Sequence, residues 1–97
     1  MKTTVTSRHF KASDKLKDYA TGEVAGLGRY MDNIVDCDIV LSYDVRQNKT
    51  VEISVHIKGD TLVAGDTSDN FYKSVDKAVG KLQKQAQKLK ERQLVRH

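Results

Sequence analysis

Residues 35–57 read VDCDIVLSYDVRQNKTVEISVHI, and this stretch decides the fold. Val35, Cys37, Ile39, Leu41 and Tyr43 alternate with Asp36, Asp38, Val40, Ser42 and Asp44. After a polar connection at residues 46–49, Val51, Ile53, Val55 and Ile57 alternate with Glu52, Ser54, His56 and Lys58. Successive strand side chains point to opposite faces, so this period of two predicts strands with one buried and one wet face. The short polar link between them predicts an antiparallel hairpin.

Working outward, Gly59-Asp60 turns the chain into a further strand over residues 61–67, with Leu62 and Ala64 facing in. Residues 2–7 form a short β-prone run around Val5. Between that run and the hairpin, Ser13 is a good N-cap, and Asp14 complements the helix dipole in the first turn. Leu16, Tyr19, Ala20, Val24, Leu27 and Met31 then recur at three- and four-residue spacing, predicting an amphipathic helix to about Tyr30. Gly22, Gly26 and Gly28 work against it, each costing up to ~1 kcal/mol relative to Ala in a helix interior. Ser68-Asp69-Asn70 offers caps for a last helix running from residue 70 to beyond 92. Its apolar stripe is Phe71, Val75, Ala78, Val79, Leu82, Ala86 and Leu89. The predicted order is β-α-β-β-β-α. A sheet with one apolar face needs covering, so the fold class is α+β: a two-layer sandwich with a four-stranded sheet and two helices on one face.

The 97 residues predict a single domain, 1–97. No apolar run approaches the roughly 20 residues that span a bilayer, and the N-terminus lacks a signal-peptide core, so a cytoplasmic protein without membrane contact is expected. One cysteine, Cys37, excludes an internal disulfide and a multi-cysteine zinc site. The net charge of +4 is unevenly distributed. Residues 71–97 carry eight Lys/Arg against Asp76 and Glu91, a net of +6, whereas residues 1–70 carry a net of −2. Such asymmetry suits a polyanionic partner met by one face, or a lysine-rich solvated helix; composition alone leaves both open.

A helical wheel favours the first reading. At about 100° per residue, Lys73, Lys77, Lys81, Lys84, Lys88 and Arg92 occupy an arc roughly 100° wide; Asp76 falls outside it, and Glu91 falls on its border, in line with Lys73. Solvated helices usually interleave Glu and Lys, which gains ~0.2–0.5 kcal/mol per i,i+4 pair, whereas like charges lose a similar amount. A bound polyanion would relieve that repulsion. Lysines act as point charges on phosphate rather than as base readers, and the strands lack the exposed aromatic pairs that splay single-stranded bases. Structured RNA read by its backbone is therefore the expected ligand. The outer sheet face, with Asp36, Asp38, Asp44 and Glu52, is unsuited to RNA.

Other residues read as structural. Cys37 is a small core residue, Tyr72 a core ring with its hydroxyl at the surface, and Asp76 a contributor to the electrostatics of the helix N-terminus. His9 and His56 have no partner at metal-ligand spacing in the sequence, so neither metal nor cofactor is expected. No carboxylate pair, nucleophile–base set or phosphate-cradling glycine loop is present, which predicts a non-enzyme without a small-molecule substrate.

The segment DNFYKSVDKAVGKLQKQAQKLK, residues 69–90, resembles the signature of the ribosome hibernation promoting factors and ribosome-associated inhibitors. The matching residues are Asn70, Phe71, Tyr72, Ser74, Val75, Asp76, Lys81, Leu82, Lys84, Gln85, Lys88 and Lys90; upstream, Ser13, Leu16, Leu27, Tyr30, Asp32 and Ile34 also fit. The resemblance implies a protein that docks on the rRNA of the small ribosomal subunit, in the mRNA and tRNA channel. There it would block translation in resting or stressed cells. It carries the RNA-binding role onto Lys81, Lys84, Lys88 and Lys90, whereas Lys73, Lys77 and Arg92 rest on the wheel. Glu23 and Gly26 stand where the family is commonly basic, restricting first-helix RNA contact to Lys15, Lys17 and Arg29. Neither the acidic tail of the inhibitors nor the second, dimer-forming domain of the long factors is found, which suggests the short form. Any ribosome dimers are then expected to need a separate helper factor. Two other readings accompany this one: a protein-interaction module modulating an alternative sigma factor, as relatives have been labelled, and a generic structured-RNA binder.

Overall fold

The alternating stretch folds into the two central strands of the sheet. The computed structural model of the chain describes residues 2–95, with side chains described through residue 91. Its elements are β1 (Lys2–Ser7), α1 (Asp14–Ala25), β2 (Ile34–Tyr43), β3 (Lys49–Ile57), β4 (Asp60–Ser68) and α2 (Phe71–Val95), with a 3-10 turn at Gly26–Arg29. The strands lie in the order β1-β2-β3-β4. β1 pairs parallel to β2, and the other neighbours pair antiparallel. The parallel pair follows from connectivity: two strands joined through a helical crossover emerge in the same direction.

One face of the sheet is buried and the other is not. Cys37, Ile39 and Leu41 on β2 and Val51, Ile53 and Val55 on β3 are fully buried, while their alternates are partly or wholly exposed. Both helices therefore cover the same face. α1 contributes Leu16, Ala20 and Val24, and α2 contributes Phe71, Val75, Ala78, Val79, Leu82 and Ala86. Burying each such Val, Leu or Ile stabilises the fold by roughly 1.5–3 kcal/mol. The rim is aromatic: Phe10 stacks on Phe71 at 5.2 Å between centroids, and Tyr43 meets both edge-on.

The polar details are satisfied locally. The Ser13 hydroxyl accepts from the Leu16 N–H, capping α1 as expected. The Asn70 side chain accepts from the Tyr72 N–H at the start of α2. Buried Ser74 donates to the Lys49 carbonyl at 2.9 Å, tying α2 to β3. In the β2–β3 turn, the Asp44 carboxylate accepts from the N–H groups of Arg46 and Asn48, and the bonds to Asn48 foremost hold it below its usual range.

Two expectations change. α1 ends at Ala25 and tightens into the 3-10 turn instead of continuing to Tyr30, because Gly26 and Gly28 offer no side chain that would favour the wider helix. Val35, expected inward, is 59% exposed. A register shift between Ile34 and Asp36 inserts it as a bulge, and an unpaired extra residue breaks the alternation there. On β4, Leu62 packs half-buried against the core and Ala64 is buried, so both face in as predicted.

Candidate nucleic-acid interface

The lysine arc sits on a helix whose two flanks are already engaged. On one flank, the Lys81 ammonium donates to the Gly65 carbonyl of β4 at 2.7 Å and lies 3.4 Å from the Asp66 carboxylate. One turn later, the Gln85 amide donates to the Val63 carbonyl at 3.0 Å. β4 is an edge strand, and these two side chains cover carbonyls on its open edge. On the other flank, the Tyr19 hydroxyl of α1 donates to Asp76, and the Tyr19 and Tyr72 rings meet edge to face at 5.0 Å.

These anchors fix which way α2 points its charge. Lys81 lies at the inner border of the arc, against β4, so the remaining lysines project from the β4 side of α2 and not from the junction with α1. Lys73, Lys77, Lys84 and Lys88 are all exposed there. Lys90 is exposed on the opposite flank, beside a shallow cleft lined by Tyr30, Asp32, Asn33 and Lys58. Lys15 and Arg29 are exposed and Lys17 is half-buried, all in the region of α1. Between those cations and the arc runs the Tyr19–Asp76 contact, with Glu23 close enough to add its charge. The predicted cations thus form a continuous row on α2 and a separate group near α1. The Arg92 side chain lies outside the described residues.

Asp76 has a role other than the one expected. It holds the two helices together through Tyr19, whose hydroxyl is pushed far above its usual range by the bond to Asp76, then by burial and by Glu23. Sequence periodicity places Tyr19 on the buried stripe but carries no sign of this partner, 57 residues away. Cys37 is a core residue as expected; burial, then the charges of Asp36 and Asp38, push its thiol up to about 11, so it stays protonated. Among the described helices, none is long and apolar enough to cross a membrane.

The sequence pattern of the family described as "Sigma 54 modulation protein / S30EA ribosomal protein" matches residues 3–94. The chain belongs to this family. It is 26% identical over 96 residues to the ribosome hibernation promoting factor of Azotobacter vinelandii, spanning 99% of this chain and 89% of that one. It is 27% identical to the Pseudomonas putida factor, spanning 96% and 90%. The fold superimposes on the N-terminal domain of Thermus thermophilus Protein Y with a TM-score of 0.82 at 26% identity, covering 92% of this chain and 99% of that domain. A ribosomal subunit interface protein from Coxiella burnetii gives the same TM-score at 28% identity, covering 94% and 99%. The family is one of non-enzymatic factors, and this member is not an enzyme.

Proposed function

We propose that this protein is a ribosome hibernation factor that docks on small-subunit rRNA in the mRNA and tRNA channel and holds the ribosome inactive under stress. The observation that carries the reading is the row of Lys73, Lys77, Lys84 and Lys88, exposed on one side of α2 with no acid among them. Those four positions span roughly 22 Å at 1.5 Å per residue, on a helix that the sheet and the Tyr19–Asp76 contact hold rigid. Lysine ammonium groups pair with phosphates wherever the RNA backbone brings them, so the row reads shape and charge rather than base sequence. Lys90 and the group near α1, Lys15, Lys17 and Arg29, supply further phosphate contacts at the other flank. With its site on the subunit filled, mRNA and tRNA have no room in the channel. Names of relatives that mention ribosome hibernation support the same reading.

The test replaces Lys77, Lys84 and Lys88 together with Gln, leaving Lys81 to its structural bonds. Affinity for vacant small subunits should fall, and the slope of log affinity against log salt should flatten by about one unit for each phosphate no longer neutralised. Stability should be unchanged, because exposed charges contribute little to folding. Equal affinity and equal salt slope for the triple variant and the parent would remove the lysine row from the interface.

A further inference from the structure

The face of the sheet turned away from the helices carries a group of side chains that the RNA interface does not use. Asp36 and Asp38 stand two residues apart on β2, so they share a face, and His56 is the direct register partner of Asp36 on β3. The His56 Nδ1 contacts the Asp36 carboxylate and lies 3.9 Å from the Asp38 carboxylate. One nitrogen and two oxygens from these residues lie within 4.8 Å of one another.

We propose that Asp36, Asp38 and His56 form a binding site for a divalent transition-metal ion on the outer face of the sheet. Two features of the setting carry the inference. The first is rigidity. Both strands are central, their inward residues Cys37 and Val55 are fully buried, and the bulge at Val35 sets the direction of the strand beside Asp36. Donors on such a frame are held close to a binding geometry before the ion arrives. The second is charge. Two carboxylates face the same solvent, and among the described residues no Lys or Arg forms an ion pair with either of them. Lys2, the register partner of Asp36 on β1, makes no such pair, the other direct register partners, Thr4, Ser54 and Thr61, are neutral, and Glu52 further along the same face of β3 adds negative charge.

The donor set selects the ion. An imidazole with two carboxylates suits Zn²⁺ and its neighbours, which bind nitrogen at about 2.0–2.1 Å and carboxylate oxygen at about 2.0–2.2 Å. Water completes the coordination. Mg²⁺ prefers an all-oxygen octahedral shell and loses its water reluctantly, so it fits poorly. Binding requires His56 to present the Nδ1 lone pair, so its ring proton sits on Nε2 and the contact with Asp36 is replaced by two coordination bonds. Nothing is oxidised or reduced. The ion's two positive charges offset both carboxylates, turning this acidic patch neutral.

Isothermal titration of the full chain with zinc chloride tests the site. One Zn²⁺ should bind per chain, and magnesium chloride should give no saturable heat. His56→Ala and Asp38→Asn should each weaken zinc binding at least about tenfold, since loss of a supporting group alone typically costs 10–100-fold. His9→Ala should bind as the parent does. Circular dichroism confirms folding of each variant, and Asp38→Asn decides the matter if His56→Ala does not fold. Absence of saturable zinc binding, or zinc affinity that survives both substitutions or is lost with His9 instead, overturns the proposal. The experiment contains no RNA, so its outcome is separate from that of the lysine-row test.

Discussion

Lys81 shows how one side chain can resemble its neighbours in sequence and differ from them in the fold. It has the spacing of Lys77 and Lys84, yet among the described side chains of the arc it alone donates to a backbone carbonyl and faces a carboxylate on β4. Asp66 keeps one buried oxygen without a hydrogen-bond partner among the described residues, so the nearby ammonium is its main electrostatic compensation. Lys81→Gln should therefore lower stability by about 1 kcal/mol in urea unfolding, the scale of a lost hydrogen bond to a charged group at a partly exposed site. Lys84→Gln should stay within about 0.5 kcal/mol of the parent. Equal stabilities for the two variants would mean that the bonds to Gly65 and Asp66 contribute nothing.

At the scale of elements, α1 is the weakest piece of sequence and the one whose length its spacing overstates. The apolar spacing carries on through Leu27 and Met31, and both are buried, but only the part up to Ala25 is α-helical. The tighter 3-10 turn still delivers Leu27 to the core, and the chain behind it delivers Met31. Periodicity reads which residues are inside more securely than it reads which hydrogen-bond pattern holds them. Gly22 lies within α1, and a Cβ placed on it meets nothing within 4 Å. Gly22→Ala should accordingly stabilise the protein by up to ~1 kcal/mol, raising the melting temperature by roughly 4–8 °C for a domain of this size. A melting temperature that stays level or falls would show that Gly22 serves some purpose other than building the helix.

At the scale of the whole molecule, the protein has a cationic row overhanging the β4 edge, a second cationic group near α1, and an acidic outer sheet. A domain so polarised approaches a polyanion helices first. Under the proposed docking mode it competes for space with tRNA, because overlapping sites on one subunit cannot be filled together. Adding the protein to vacant small subunits should reduce tRNA binding in proportion to occupancy, measured by filter binding at fixed salt. Full tRNA binding on subunits saturated with the protein would exclude the channel.

The strand order along the chain, the hairpin, the buried faces of β2, β3 and β4 and the lysine arc were all legible in the sequence. Each depends on spacing within one element, where backbone geometry alone relates a residue to its neighbours at two, three or four positions. The signature at residues 69–90 also led to the family, because those residues are contiguous and all but the first two lie on one helix. Three features were decided only by the tertiary structure: the bond from Tyr19 to Asp76, the reach of Lys81 to the β4 edge, and the approach of His56 to Asp36 and Asp38. Each joins residues 15 or more positions apart on different elements. Their meeting depends on strand register and helix rotation, which the packing of the whole core sets at once.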